Sequence, residues 1–472
     1  MAVTIGTFIY LIISFVIFIK NKKDITKLFT AFFIFFIISK LFLNIGYFVK
    51  IGTFEFLYDE FLTLILLVLS ILILRKHKVS QRSIVLGIIF FICVASSSLF
   101  NVLFHCGEIG ISYQESWDNY FLGRDSFVVL GPTTSTILHA IRILLFVIIV
   151  QAYMLIFNPK DFMKLLKYVF RFAVVAIPLL LLEYVFKRIL ISPALNNIYE
   201  NVFGVSAGTY TGLGAYLNGV YALNFLYKEQ SHLANYFLFV SIILLIGFML
   251  TNKKRYFIVA TLVAFSTLLS RAFTSYLTCG FYLLFMLYLF YKKYRFVRKL
   301  IPVLLIAGLV AFIIIMKKTS YAERISNSVA IIFHFDPNYT YEFTSENVRF
   351  YSIMYNLLMF KRHFLFGVGL GTSYSMGGLS SALVSIGIVG FILYWVFLNS
   401  IFKHSLKKSI PIFPFLAYNL LQFFIGGIDY YYMPPMIIIF VGCYLVNKYV
   451  TANVKQKVVI KRVVKTTVVE EA

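Results

Sequence analysis

Apolar runs of seventeen residues or more recur along the whole chain, and short basic clusters separate them. Few folds admit such a pattern. About 20 apolar residues in a helix cross a hydrocarbon core of ~30 Å, so repeated runs mean repeated crossings. The residue balance agrees. The chain is 61% hydrophobic and 13% charged, with a mean hydropathy of +0.88. A soluble domain is nearer half apolar and about a quarter charged. The pattern predicts an all-α, polytopic transmembrane helical protein.

The net charge of +24 would suit nucleic acid, but its distribution excludes that partner. Basic residues gather between apolar runs: Lys20 to Lys27, Arg75 to Arg82, Lys160 to Lys167, Lys253 to Arg255, Lys292 to Lys299, Lys403 to Lys408, and the tail from Lys448. Such clusters mark cytoplasmic loops. The run Val3 to Ile19 has basic residues only after it, the reverse of a secretory signal peptide. It reads as a first span with its N-terminus outside. Every interval between two cytoplasmic clusters crosses an even number of times. Seven such segments and the first span give about 13 crossings, within 12–14. The clearest are 28–49, 58–74, 83–104, 135–157, 168–190, 233–250, 300–316, 379–402, 410–428 and 435–447. The interval 256–291 is too long for one span and short for two. Both its flanks are basic, which predicts two short helices with an outward turn at "LLSRAFTSY".

Extracytoplasmic loops are expected at about 105–134, 191–232 and 317–378, the last a large loop before the final three spans. No internal repeat or soluble domain is visible. Residues 1–447 read as one membrane domain. Residues 448–472 read as a basic cytoplasmic tail suited to anionic lipid. The four cysteines have no metal spacing. No metal and no cofactor is expected.

Several outward residues carry possible chemistry. "GVGLG", with Gly367, Gly369 and Gly371, departs from the G-x-G-x-x-G of a dinucleotide site and has no βαβ setting. The segment before it, "RFYSIMYNLLMFKRHFLF", places Phe350, Ile353, Met354, Leu357 and Leu358 at helical spacing. It reads as an interfacial helix with its apolar face in lipid. Arg349 opens it; Lys361, Arg362 and His363 close it, as anchors to headgroups or as ligands. Arg271 sits at or just below the outer face, where a charge either lines a pathway or snorkels. "YKEQSHLANYF" puts Glu229, Ser231 and His232 at the mouth of a span, as a helix start or as an acid–base pair. Asp429 and Tyr430 lie in "GGIDYYYMPP", a carboxylate among aromatics that suits sugar as well as an interfacial belt. Lys40 and Glu183 fall inside spans, Glu183 near Lys187 and Arg188. Fixed arginines near a membrane surface suit a bidentate grip on phosphate or pyrophosphate.

"SRAFTSYL", the long outward loop, "RFYSIMYNLLMFKRHFLFGVGLG" and "LVSIGIVGFILYWVF" together resemble the Wzy polymerase and O-antigen ligase superfamily. "EQSHLA" is similar to that family's E-P-S-x-x-A, with Gln230 in place of the proline. The resemblance covers roughly 225–400. It implies a bacterial cytoplasmic-membrane glycosyltransferase acting on undecaprenyl-pyrophosphate-linked oligosaccharide repeat units, in O-antigen, capsule or exopolysaccharide biosynthesis. The implied partners are those lipid-linked units, membrane lipids and a chain-length regulator. The implied catalytic residues are Arg271 and Arg349 on the leaving pyrophosphate, with Glu229 or His232 activating the acceptor hydroxyl. Ser270, Arg362, Gly367, Gly369, Gly371, Asp429 and Tyr430 are the implied substrate-binding residues. Ligases of the superfamily carry a His-Asn after the glycine turn; the corresponding residues here are Met376 and Gly377, which favours polymerase over ligase. A lipid-linked oligosaccharide flippase is the rival from another class, and it would be expected to show internal repeats.

Overall fold

The computed structural model describes residues 2–42, 47–52, 54–77, 80–104, 109–111, 127–129, 134–192, 194–204, 216, 217, 220, 221, 223, 225, 227, 230–270, 273–294, 303, 306, 331–336, 345–373, 377–424 and 436–449. Helices make up most of it. β1 (Ala2–Val3), α1 (Ile5–Asn21) and α2 (Ile25–Phe42) come first. β2 (Tyr47–Ile51), β3 (Phe54–Leu57), α3 (Tyr58–Lys76) and α4 (Gln81–Phe104) follow. Next are β4 (Ile109–Ile111), β5 (Phe127–Val129), α5 (Thr134–Ile156) and α6 (Pro159–Tyr184), which runs into a π-helical turn, Val185–Ile189. Then come α7 (Ala194–Phe203), β6 (Tyr216–Leu217), β7 (Val220–Tyr221), α8 (Gln230–Thr251) and α9 (Lys254–Ser266) with its 3-10 turn Thr267–Ser270. The chain closes with α10 (Phe273–Lys293), α11 (Ser345–Arg362), α12 (Gly378–Leu406), α13 (Ile412–Phe424) and α14 (Met436–Tyr449).

Among the described residues, five helical stretches are long and apolar enough to cross a membrane: Thr136–Ile156, Pro159–Ile189, His232–Thr251, Thr274–Tyr291 and Gly378–Leu406. Outward apolar stripes accompany them. Phe8, Ile12 and Phe15 are exposed on α1, Val85, Ile88 and Ile92 on α4, Ile137, Ile141 and Leu144 on α5. Each set is spaced three and four apart, so each forms one helical face. Such faces suit contact with lipid or protein better than with water. The helical class and a membrane-compatible surface are therefore observed.

Two bundles share the core. α8 is the hub of one: 83% of its apolar window is buried, and it packs on α6, α9 and α10. α12 organises the other, against α4, α5, α11 and α13. At one corner the antiparallel sheet β1–β2–β3 closes over α1 and α3. Thr4 caps α1, and its hydroxyl meets Tyr58 Oη at 2.6 Å. The Thr7 hydroxyl donates to the Phe48 carbonyl at 2.5 Å. Nearby, Lys40 pairs with Asp59 at 2.9 Å, joining α2 to α3. Asp24 starts α2: its Oδ1 accepts from the Thr26 and Lys27 amides at 2.9 and 3.2 Å. Those bonds, Lys27's above all, hold its carboxyl below the usual carboxylate range.

The span expected at 28–49 is shorter. α2 ends at Phe42, and Tyr47–Ile51 is a strand. Hydropathy saw one apolar run; the aromatic and β-branched residues at its end favour a strand, and Lys50 pairs with Glu55 at 2.6 Å across β3. Two helices do occupy 256–291, as α9 and α10, but only α9 is short; α10, with 21 residues, is long enough to cross a membrane. The 13 residues of α9 reach only about 20 Å. The proposed interfacial helix is also present as α11, but its setting differs. Phe350 and Ile353 are 7% and 1% exposed, packed against protein rather than lipid, and α11 lies on α12. Of the loop regions expected at 105–134, 191–232 and 317–378, the first lies largely outside the described residues and the other two are described in part.

α12 is broken. Gly387 has φ 62°, ψ −175°, which interrupts the helix between Ile386 and Ile388. The turn that follows α11 fills the break. The Val368 and Gly369 amides donate to the Val384 and Ser385 carbonyls at 2.7 and 3.1 Å. In return, the Ile388 and Val389 amides donate to the Phe364 and Leu365 carbonyls at 2.9 and 3.1 Å. Only glycines allow this contact. A Cβ on Gly387 would lie 2.3 Å from the Leu365 oxygen, and one on Gly367 would lie 2.5 Å from the Val384 oxygen. Met359, Val368 and Val384 seal the joint with a small apolar cluster.

Gly387→Ala is expected to destabilise the protein by about 3 kcal/mol or more, from backbone strain of order 1–3 kcal/mol plus the clash. Gly280→Ala, in α10 with nothing within 4 Å, is expected to be neutral or stabilising by up to ~1 kcal/mol. Thermal unfolding of the two variants in detergent checks the contrast.

Candidate active site

Ser270, His232 and the turn after α11 share one end of the bundle. α8 and α9 are joined by Asn252 and Lys253 alone, so they run antiparallel. The turn after α9 therefore returns toward the start of α8, and the two are in contact. α10 leaves that turn and runs parallel to α8. Tyr288, late in α10, stacks on Phe413, early in α13, at 4.3 Å. α13 follows α12 after a short connection. The starts of α8, α10 and α12 thus share one end, with the turn after α11 beside them.

The turn after α9 is tied internally. The Thr267 hydroxyl donates to the Ala264 carbonyl at 2.7 Å, and the Ser270 hydroxyl donates to the Thr267 carbonyl at 2.8 Å. Ser270 Oγ also meets Ser275 Oγ at 2.7 Å, bridging into α10. Ser270, expected to touch substrate, is 1% exposed. Its hydroxyl holds the turn from which the chain continues to Arg271. Arg271 itself lies outside the described residues, as do Glu229, Asp429 and Tyr430.

His232 stands in the first turn of α8. It is half-buried, and its Nδ1 has no hydrogen-bond partner among the described residues. Two buried anchors fix the segment leading to it. Glu183 Oε1 pairs with Lys187 Nζ at 2.7 Å, both side chains at 1% exposure or less, and accepts the Phe225 amide at 3.0 Å. Phe225 has φ 53°, a left-handed conformation that a bulky residue rarely adopts. The Tyr227 hydroxyl donates to the Leu41 carbonyl, and its ring stacks on Tyr236 at 5.0 Å. Hydropathy alone would not find this anchor. The signal was a Glu and a Lys four residues apart inside an apolar run, the spacing of an ion pair on one helical face.

α11 holds Arg349. Its side chain is 9% exposed, one turn from the helix start. Ser352 and Asn356 follow on the same stripe, both fully buried, and His363 extends it at 9% exposure. The Ser352 hydroxyl donates to the Arg349 carbonyl at 2.9 Å, and Asn356 Nδ2 donates to the Ser352 carbonyl at 2.7 Å. The buried side of α11 therefore contains a polar stripe as well as Phe350 and Ile353. Sequence reading followed the apolar residues and missed the polar set at i, i+3 and i+7. Burying a guanidinium is costly unless charge or hydrogen bonds meet it, so this arrangement is a specific one. Arg362 is exposed at the other end of α11 beside Lys361, where cations suit the helix dipole.

Gly367, Gly369 and Gly371 all have positive φ, at 72°, 99° and 64°, and all are buried. Their expected use was close approach of backbone to a ligand. The close approach seen for Gly367 is to α12 itself, at Gly387. This turn shapes the site by fixing α11 against α12. Among the described residues no cluster of His, Cys, Asp or Glu could hold a metal. No protein-family model matches the chain, and no curated protein shows significant similarity to it.

Proposed function

We propose that this protein is a polysaccharide repeat-unit polymerase of the Wzy type. It would act on undecaprenyl-pyrophosphate-linked oligosaccharides at the outer face of a bacterial cytoplasmic membrane. The observation that carries the reading is the buried polar stripe headed by Arg349 on α11, the helix whose following turn fills the break in α12. The sequence likeness over 225–400 supplies the family.

In this reading the membrane domain has about 13 spans, with its N-terminus outside and its basic tail, 448–472, in the cytoplasm. A hydroxyl of one repeat unit attacks the anomeric carbon at the reducing end of the growing chain. The new glycosidic C–O bond forms as the bond from carbon to the pyrophosphate oxygen breaks. The electron pair leaves with the lipid pyrophosphate. The hydroxyl proton passes to Glu229 or His232; the unengaged Nδ1 of His232 suits that task. Charge develops on the leaving oxygen, and preorganised guanidinium donors stabilise it best because they need no rearrangement at the moment of reaction. Arg349 is such a donor by its burial; Arg271, next to the tied Ser270 turn, is the second. A chain-length regulator is the expected protein partner.

Cells lacking the gene should show surface polysaccharide reduced to single repeat units on a gel. A full-length ladder left on carrier lipid would instead indicate a ligase, and units trapped on the cytoplasmic side would indicate a flippase. Arg349→Lys and Arg271→Lys keep the charge but lose the planar fork. Each is expected to lower polymerisation by roughly 10²-fold or more, the scale of losing one oxyanion donor, with protein levels unchanged on a membrane immunoblot. Wild-type chain length in both variants would defeat the bidentate role.

A further inference from the structure

A cleft runs between α8, α10 and α13, closed by Ile439 of α14. Its walls are almost wholly apolar: Phe239 and Ile242 from α8, Phe281 and Phe285 from α10, Ala417 and Leu421 from α13. Both α8 and α10 run away from the candidate active end, so each stripe can be followed back toward it. On α10 the stripe through Phe285 and Phe281 continues to Thr278 and Thr274. On α8 the stripe through Phe239 continues to Asn235 and His232. The cleft's own lining is apolar but for Asn235 and the two tyrosines Tyr236 and Tyr418; Thr278 and Thr274 lie beyond it on the α10 stripe, Thr274 about 10 Å up the helix from Phe281.

The two threonines are unusual. Thr274 and Thr278 are 4% and 0% exposed, and neither hydroxyl has a hydrogen-bond partner among the described residues. Buried helical hydroxyls ordinarily return to the carbonyl four residues back. Ser241, Thr251 and Thr261 do so in the neighbouring α8 and α9, at 2.8, 2.8 and 3.0 Å. Unmet buried hydroxyls in the first turns of α10, with the similarly unmet His232 Nδ1 in the first turn of α8, ask for a ligand with hydrogen-bond acceptors at one end. The phenylalanines below ask for a hydrocarbon chain at the other.

We propose that this cleft seats the polyprenyl chain of the lipid-linked substrate, with its phosphate end facing Thr274 and Thr278. This rests on the polymerase reading for the identity of the lipid, and it adds where that lipid is held and by which residues. The hydroxyls donate to phosphate oxygens, and the chain lies along Phe281 and Phe285. Ala417 is the point of the wall where a larger side chain would fill the space.

The test uses the purified full chain in nanodiscs and undecaprenyl monophosphate as the probe, read by native mass spectrometry. Ala417→Phe is expected to weaken binding tenfold or more. Ala417→Leu should weaken it less, and serves if the larger residue prevents folding. The double variant Thr274→Val with Thr278→Val should weaken binding several-fold while its thermal midpoint stays level or rises, because two unpaired hydroxyls become methyl groups. A purely structural role would instead lower the midpoint. Equal binding by wild type and all variants overturns the proposal, as does equal displacement of the probe by phosphatidylglycerol. The two readings fail separately. Binding lost in these variants, in a protein whose deletion leaves the polysaccharide ladder intact, keeps the cleft and removes the polymerase. A ladder that collapses on deletion yet is restored in full by the cleft variants keeps the polymerase and removes the cleft.

Discussion

A helix in lipid cannot stop and restart without something to meet its loose backbone groups. Water is absent, and each unsatisfied amide or carbonyl costs several kcal/mol. α12 stops and restarts at Gly387, and the turn after α11 meets four of the groups released, two amides and two carbonyls. Much of the candidate site depends on that exchange. It fixes α11 against α12, so it fixes the depth and direction of Arg349, Ser352 and Asn356. It also explains the glycines: two backbones this close leave no room for a Cβ on either side.

A second constraint acts on the other bundle. Glu183 and Lys187 are buried together where α6 gives way to a π-helical turn. An ion pair so placed contributes little to stability once its desolvation is counted. Its value here is positional. The carboxylate takes the amide of Phe225, whose backbone is left-handed, and so sets how the chain enters α8. α8 is the most buried of the membrane-long helices. Displacing its start would move His232 and one wall of the cleft together.

Much of this fold was legible in the sequence. Apolar period and basic punctuation located α3, α4, α5, α8 and α12 closely, and charge on both flanks resolved 256–291 into α9 and α10. The same reasoning failed where chain geometry, not composition, decides. Tyr47–Ile51 continues the apolar run of the helix before it, and its aromatic and β-branched residues are held as a strand by pairing with β1 and β3. Gly387 was read only as part of "LVSIGIVGFILYWVF" within an unbroken span, 379–402, without the break it produces. At the site, Arg349 was legible as a fixed cation, and His232 as a residue at a helix mouth. Ser270 was read as a contact residue because adjacency to Arg271 does not reveal where a hydroxyl points. The polar stripe of α11 was hidden by the apolar residues that share its face.

The order of the joint along the chain has a consequence for assembly. Phe364 to Gly369 lie before Gly387 in sequence, so a ribosome completes the supplying strand of the joint before the broken helix emerges. Synthesis is slow beside local chain motion: residues appear at about 5–20 per second, and short loops close in well under a millisecond. The first half of α12 can therefore find its partners as soon as it emerges. A permuted chain with the same contacts, but with the turn translated last, would have to hold a severed helix with unmet backbone groups until its complement arrived.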